Sequence, residues 1–403
     1  NRFLKKLKAG DRSVGDGAIT AEDAAVPADV ELIDVNSIEK HVITVNAQLR
    51  EIDFKAETVI KVFGDYNHLN APQIQGISIL TGNKYYYIDE TCDEIYDILA
   101  NYDGKFIGHG LKKDYYMLLS RRDMDVETGF DTEITQYVLD SGRSDYSLAV
   151  LSNEYLHASL PSEEEFMADH GQMSLLGTDV NAFADYGLAV CCTIYNIAQL
   201  QKNAVAAGHL EKVLYEIELP LIEVMAAMEK EGFKADREYL ENFGHVLTGE
   251  IDKLTASIHD MAGEEFNIKS TQQLGDVLFD KLGLKSGKKT KKGYSTSVEV
   301  LEKIKDDHPI VPAILEYRSL TKLKSTYIEG MLPLIGYDGK VRAHFNQTVT
   351  TTGRISCTEP NLQNIPVRQE LGRKLRQAFI PENEDCTLVG ADYSQIEMRV
   401  LAH

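Results

Sequence analysis

Nowhere in the 403 residues is there an unbroken apolar run of the roughly 18 residues that a membrane helix needs, which excludes a helical membrane-spanning protein. The start, Asn1-Arg2-Phe3-Leu4-Lys5-Lys6, lacks the apolar stretch of a signal peptide, and it lacks an initiator Met. Cysteine is scarce. Cys92, Cys191, Cys192, Cys357 and Cys386 are scattered and form no CxxC pair, which excludes a disulfide framework and points to a reducing, cytoplasmic setting. Positive charge is also short: the formal net charge of −21 argues at first sight against a nucleic-acid partner. What is present is ordinary for a globular chain. With 43% apolar and 26% charged residues wholesale disorder is excluded, and the length allows two or three domains with cores of their own.

The charge is unevenly placed. Residues 1–210 hold 17 Lys+Arg against 33 Asp+Glu, whereas 211–403 hold 25 against 30. Two windows in the second half turn positive. Residues 267–296 carry seven lysines (269, 281, 285, 288, 289, 291 and 292) against Asp276 and Asp280, and 340–376 carry seven basic residues against Glu359 and Glu370. Such stretches inside an acidic chain suit a local grip on phosphates, while the acidic remainder discourages indiscriminate binding. The 285–292 run fits a solvated face equally well. The second window adds Asn and Gln groups able to meet base edges.

Along the chain, residues 1–10 resemble the last turn of a helix, and 11–28 are small, polar and acidic, as in a linker. Strand patterns follow at 42–47, 58–63, 74–80 and 84–88, the last two joined by a tight turn at Gly82-Asn83. Helical patterns follow at 93–102, 113–121, 132–140, 147–156 and 179–206. These elements predict one mixed α/β domain. From Leu210 the texture is helical: Pro220 marks a restart, Gly232 a stop, and a second helix covers 237–261. Asn267-Ile268-Lys269-Ser270 reads as an N-terminal cap, Thr296-Ser297 as another, and a further helix covers 309–334. Strand signals return at 340, and 387–393 (TLVGADY) predicts an apolar strand running into an acid. A helical pattern then stops at His403 without cap or breaker, as expected of a fragment.

Three segments carry a resemblance: TGRISCTEPNLQNIPVR at 352–368, GRKLRQAFIP at 372–381 and ADYSQIEMRVLAH at 391–403. In order and spacing they resemble the first motifs of the polymerase domain of bacterial A-family DNA polymerases. Upstream, KLKSTYIEGMLPL at 322–334, EFNIKSTQQLGDVLFDKLGL at 265–284 and IELPLIEVMAAMEKEGFKAD at 217–236 resemble that family's thumb. The resemblance implies a tail of a 5′ nuclease domain and linker at 1–28, and a ribonuclease-H-like 3′-5′ exonuclease-type domain at 29–205. A helical thumb at 206–335 and the first part of an α+β palm at 336–403 would follow. The family's fingers helix and second palm acid have no counterpart here.

Nucleotidyl transfer in this family uses two divalent cations to clamp the attacking and leaving oxygens, which requires carboxylates on a rigid strand end. Taken alone, Asp392 also suits an N-cap. The resemblance makes it the first metal-binding acid for Mg²⁺, with Tyr393 lending a backbone carbonyl and Glu397 excluding a ribose 2′-hydroxyl. A single carboxylate cannot hold two metals, so the site is half a site. Arg354, after Gly353, is implied as a minor-groove contact to the primer end. Asn361, Gln363 and Asn364 are amides suited to the minor groove's N3 and O2 acceptors, although turn chemistry around Pro360 and Pro366 accounts for them too. In the thumb Arg318, Lys322, Ser325 and Thr326, with Asn267, Lys269 and Ser270, match backbone-contacting positions. The implied partners are primer–template DNA, deoxynucleoside triphosphates and the missing remainder of the same polymerase, without a membrane, in the bacterial nucleoid.

Proofreading also needs clustered acids that bind two metals. Gly110-Leu111-Lys112-Lys113-Asp114 resembles the family's second exonuclease motif and keeps only Asp114. Val62-Phe63-Gly64 stand where first-strand acids belong, and Val190 follows Tyr186 where another acid belongs. Asp131, in Phe130-Asp131-Thr132-Glu133, reads as a helix cap, since the order of elements is expected to keep it away from Asp114. The domain is therefore expected to be an inactive scaffold. Three functions stay open: a polymerase of replication and repair, a module that holds DNA without extending it, and a free-standing 3′-5′ exonuclease. Primer extension separates the first two, and digestion of a single strand identifies the third.

Overall fold

The computed structural model describes residues 32–170, 179–285, 289–290, 293–366 and 370–403. The expected upstream tail and linker at 1–28 lie outside the described residues. Packing divides the chain into two units, 1–232 with 342–359 and 233–341 with 360–403. This division differs from the sequential one: residues 206–232 and the segment 342–359, assigned to thumb and palm by order, pack with the first unit.

The first unit is built on a six-stranded mixed sheet. Its strands are β1 Glu39–Ile43, β2 Glu57–Asp65, β3 Gln73–Thr81, β4 Lys84–Asp89, β5 Lys105–Gly108 and β6 Thr128–Asp131, in the order β1-β4-β3-β2-β5-β6. β2, β3 and β4 form an antiparallel meander, while β1, β5 and β6 add in parallel. The β3–β4 turn is the expected tight one, with Gly82 in the left-handed region. β5 and β6 escaped the sequence reading because each is only four residues long, too short to show a period. β1 begins three residues before its expected start, where Glu39 pairs with Lys84 of β4, and ends at Ile43, because Asn46–Glu51 turns into a short 3-10 helix instead of extending the strand.

Helices α1 Ile95–Ala100, α2 Leu111–Arg121, α3 Thr132–Leu139, α4 Leu148–Leu156, α5 Glu163–His170, α6 Val180–Gly208 and α7 Leu219–Glu231 cover this sheet. Asp179 caps α6 by accepting from Ala182 N, and Phe183, Val190, Ile194 and Ile197 on its inner face are buried. Each such side chain contributes on the order of 2 kcal/mol through burial. A helical turn at Glu211–Val213 and a π-type turn at Leu214–Glu218 lead into α7, with Pro220 in its first turn, where a missing N–H costs nothing. The inner face of α7, Leu219, Ile222 and Ala226, belongs to the same core as the sheet, and this ties 206–232 to the first unit. The 344–358 hairpin, His344–Asn346 paired antiparallel with Ser356–Thr358, completes it.

In the second unit, β7 Phe233–Lys234 pairs with Lys340–Val341. Helix α8 Arg237–Ala262 is capped by Asp236, which accepts from Tyr239 N, and stops at Gly263 in the left-handed region. It packs along α11 Ile310–Leu323, which continues as a π-type turn over Lys324–Glu329. Between them lie the short helices α9 Thr271–Gly275 and α10 Val298–Lys303. The apolar stripe of α8 serves two cores: Leu240, Phe243 and Leu247 with Leu320 and Ile328, then Ile258 and Ala262 with Leu274 and Ile314. Helices α12 Glu370–Arg376 and α13 Ile396–Ala402 follow.

The expected strand at 387–393 is not formed. The run carries no regular secondary structure and is exposed, with Val389 at 83% accessibility, and no strand among the described residues pairs with it. A β-prone sequence gains nothing from extension unless a neighbour takes up its N–H and C=O groups.

Candidate functional site

In the first unit the centre of β2 reads Thr-Val-Ile-Lys-Val-Phe, an apolar strand with one charge in the middle. That charge, Lys61, is the β2 residue that meets Asp114. Lys61 Nζ lies 3.2 Å from Asp114 Oδ1 and 3.4 Å from Glu163 Oε2, and Lys113 Nζ also pairs with Glu163. The expectation that Val62-Phe63-Gly64 face the acid is corrected for Val62 and Gly64, whereas Phe63, two residues on from Lys61, lines one cavity with Lys61 and Glu163. Val62 and Phe63 are fully buried in the core, and at Gly64 a Cβ would stand 2.0 Å from the Gln73 carbonyl, where the β2–β3 ladder bulges.

Burial pushes the Asp114 carboxyl up to about 7, against the pull of Lys61 and Lys113. Among the described residues Asp114 Oδ2 finds no hydrogen-bond partner. Burial also works against the Lys61 ammonium, but Asp114 and Glu163 outweigh it and hold the proton on. For Glu163 burial opposes ionisation, yet Lys61 and Lys113 keep it below the usual glutamate range. Burial, aided by Lys61, depresses His109 to about 3, so its ring is neutral and Nδ1 pairs with Thr132 Oγ1.

Helix α5 lies over this cleft. Ser162 and Glu165 form a reciprocal capping box, 3.1 Å from Glu165 N to Ser162 Oγ and 2.9 Å from Ser162 N to Glu165 Oε2, so its S-x-x-E signature was legible in the sequence. Phe166 stacks on Tyr186 at 4.1 Å, and the Tyr186 hydroxyl donates to the Pro161 carbonyl. Val190 lines the same cavity of about 200 Å³ as Lys61, Glu163 and Tyr186. A pair of divalent cations needs converging carboxylates, and here two lysines occupy the space among the acids. Among the described residues no three His, Cys, Asp or Glu side chains converge as metal ligands. The donor set does not fit the metals of a proofreading site.

Asp131 is the cap it was expected to be. Its Oδ1 accepts from Glu133 N and Ile134 N at 2.9 and 3.0 Å. The expectation that it lies far from Asp114 is wrong, however. β6 runs parallel to β5, Gly108 pairs with Asp131, and Asp131 Oδ2 accepts from Leu111 N at 2.7 Å, at the start of the helix that bears Asp114. Its oxygens serve backbone amides. Glu133 borders a cavity of about 280 Å³ with Lys61, Lys112, Lys113 and Glu163, and burial with Asp131 raises it to about 7.

Arg354 is exposed on the 344–358 hairpin, and Thr350 Oγ1 donates to its carbonyl at 2.7 Å. The hairpin is fixed by Glu229 of α7, fully buried, which accepts from Phe345 N at 2.7 Å and also pairs with Lys112 and Tyr66. Glu229 was not singled out in the sequence, where it looks like one more acid on a charged helix end.

In the second unit a cleft of about 790 Å³ gathers Lys269, Arg318, Lys322 and Ser325 with Thr296 and Thr321. Thr326 is exposed on the adjoining π-type turn. Arg318 is half-buried, donates to the Thr296 carbonyl and reaches Thr296 Oγ1 at 3.0 Å; burial draws its pKa down. Thr296 thus anchors an arginine instead of capping α10, whose N-cap Ser297 makes no side-chain capping bond. Asn267 Oδ1 accepts from Lys269 N at 3.0 Å, and Ser270 Oγ caps Gln273 N at 3.4 Å, so both shape the loop that presents Lys269. Lys288, Lys291, Lys292 and the Lys289 side chain lie outside the described residues.

Asn361 caps a 3-10 turn at Leu362–Asn364 by accepting from Asn364 N, and the Tyr327 hydroxyl donates to the Asn364 carbonyl, leaving Gln363 and Asn364 exposed. Asp392, Tyr393 and Glu397 are exposed, Asp392 four residues before α13 and Glu397 within its first turn. Among the described residues Asp392 belongs to no group of three or more His, Cys, Asp or Glu side chains that could hold a metal ion.

No helix among the described residues is long and apolar enough to cross a membrane, and all five cysteines are free. Family models match two stretches: DNA polymerase family A over residues 237–403, and 3'-5' exonuclease over residues 66–181. The chain is 38% identical over 362 residues to DNA polymerase I of Geobacillus stearothermophilus, covering 87% of this chain and 40% of that protein. It is 42% identical over 275 residues to DNA polymerase I of Bacillus subtilis (strain 168), covering 68% of this chain and 31% of that protein. The chain thus spans two-fifths or less of these relatives. Among solved structures, the POL domain of Pol1 from M. smegmatis, in complex with DNA primer-template and dNTP, superposes with a TM-score of 0.73 at 29% identity, covering 89% of this chain and 61% of that one. An exonuclease-type mixed sheet, a helical thumb and the opening motifs of a palm, in that order, place the chain in the A family of DNA polymerases.

Proposed function

We propose that this chain is part of a DNA polymerase I that adds deoxynucleotides to a primer 3′ end in replication and repair, and that its own task is to hold primer–template DNA. The observation that carries this reading is the thumb cleft. Lys269 comes from the loop before α9, and Arg318, Lys322 and Ser325 from α11 and the turn that continues it; together they line one opening in an otherwise acidic protein. Phosphate contacts of this kind fix the register of a duplex without reading its sequence. Asn361, Gln363 and Asn364 are suited to the minor groove, where base pairs differ least, and a polymerase needs that indifference. Arg354 contacts the primer end.

The family's use of a divalent metal, here Mg²⁺, enters through Asp392 and the Tyr393 carbonyl, with Glu397 as the group that excludes a ribose. The carboxylates that would complete the pair are not supplied by this chain, so its isolated form binds DNA without extending it. The exonuclease-type domain is a scaffold: Lys61 and Lys113 neutralise Asp114 and Glu163, where a nuclease would hold cations.

The test is binding of a fluorescent primer–template duplex by the 403-residue chain over a salt series. Expected is a dissociation constant that rises steeply with salt, together with loss of affinity on changing Lys269 and Lys322 to Gln. Binding that ignores salt, or that these two substitutions leave unchanged, would overturn the reading.

A further inference from the structure

The turn that carries Arg354 closes around a hydroxyl group from the exonuclease-type sheet domain. Tyr137 of α3 is 4% exposed. Its hydroxyl donates to the Thr350 carbonyl at 2.7 Å and accepts from Gly353 N at 3.1 Å, so one oxygen ties both arms of the reversal. Inside the turn Thr350 Oγ1 donates to the Arg354 carbonyl at 2.7 Å. Gly353 has φ +79°, which an L side chain adopts only under strain, and a Cβ there would meet nothing within 4 Å. The backbone angle alone therefore requires glycine at this position.

The base of the same segment is fastened to the domain at two further points. Phe345 N donates to Glu229, and Gln347 Nε2 donates to the Glu218 carbonyl and to Glu218 Oε2 at 3.0 and 2.9 Å. The Tyr137 ring is itself held edge-on against Tyr146 at 6.0 Å. Thr352 and Arg354 are exposed, whereas the hydroxyl that organises them is covered.

We propose that Tyr137 is a positioning residue for Arg354, and that the sheet domain acts as the platform on which the primer-contacting turn is set. The proposal rests on the reading of Arg354 as a primer contact. It gives a domain whose acids are neutralised by lysines a task in the polymerase half: an arginine on a loose turn must be ordered when DNA binds, and pre-ordering removes that cost.

The test is a double-mutant cycle on the 403-residue chain, read as the dissociation constant for a primer–template duplex at fixed salt. Arg354→Ala and Tyr137→Phe are each expected to weaken binding, the latter by about three- to tenfold, the range for one or two hydrogen bonds. The double variant is expected to be no weaker than Arg354→Ala alone. Gly353→Ala, which strains the turn without touching Tyr137, should reproduce the loss. Tyr146→Phe, which removes a hydroxyl bond to the Asp140 carbonyl in the same domain, should bind within about twofold of the parent. If Tyr137→Phe binds like the parent, or its loss adds in full to that of Arg354→Ala, the positioning role is overturned. If Arg354→Ala itself leaves binding unchanged, the failure lies in the reading of Arg354 as a primer contact.

Discussion

Lys61 Nζ stands 3.2 Å from Asp114 Oδ1, joining the centre of β2 to the first turn of α2, with the lysine 6% exposed and the aspartate fully buried. An ammonium here is an internal cation, held between the carboxylates of Asp114 and Glu163. Such a pair is costly to break from one side, because the partner stays buried and charged.

Replacing Lys61 by Met is therefore expected to destabilise the protein at pH 8 by about 3 kcal/mol, the range for stranding one member of a buried pair. The double variant Lys61→Met with Asp114→Leu should recover most of the loss. Urea unfolding of the parent and three variants measures this, and a single variant as stable as the parent would show the pair to be irrelevant to the fold.

The same arrangement predicts no proofreading. Incubated with Mn²⁺ and 3′-recessed or single-stranded labelled DNA, the chain should leave the strand intact. A ladder shortened from the 3′ end and abolished by Asp114→Ala would refute the argument from Lys61 and Lys113.

Glu133 gives stability a pH dependence. Burial and Asp131 raise its folded pKa to about 7, above its unfolded value. The folded state therefore binds the extra proton between those values, and stability falls as pH rises from the unfolded pKa to about 7. One such group contributes a slope of at most about 1.4 kcal/mol per pH unit. Glu133→Gln should flatten that stretch of the stability–pH curve, measured by denaturant midpoints at pH 5 and 7.5. Parallel curves for parent and variant would remove Glu133 as the source.

Asp392→Asn, placed in a polymerase that carries this chain, should abolish primer extension by several powers of ten while leaving DNA affinity nearly unchanged. Rapid-quench extension beside equilibrium binding separates the two effects. Near-normal extension would end the assignment of Asp392.

Lys269→Gln with Lys322→Gln should reduce the slope of log K against log salt by about 1.8, since each phosphate contact accounts for about 0.9. A slope that stays where it was would mean that these lysines face solvent in the complex.

Much of this chain was legible as one-dimensional pattern. The long helices α6, α8 and α11 announce themselves through apolar spacing and caps such as Asp179 and Asp236, because a helix is decided by neighbours three and four residues away. The motif around Arg354 and Asp392, and Asp131 as a cap, were readable for the same reason. Short strands were not. β5 exists because β2 offers an edge in parallel register, and β6 because β5 does, whereas 387–393 has the composition of a strand but no neighbour among the described residues to pair with. The sites followed the same division. Sequence singled out Asp114, but only the fold shows that Lys61 pairs with it, that Asp131 lies beside the Asp114 helix, and that Tyr137 holds a turn more than 200 residues away in the chain. Those contacts join residues remote in sequence, and their energies depend on burial and distance, which only tertiary packing sets.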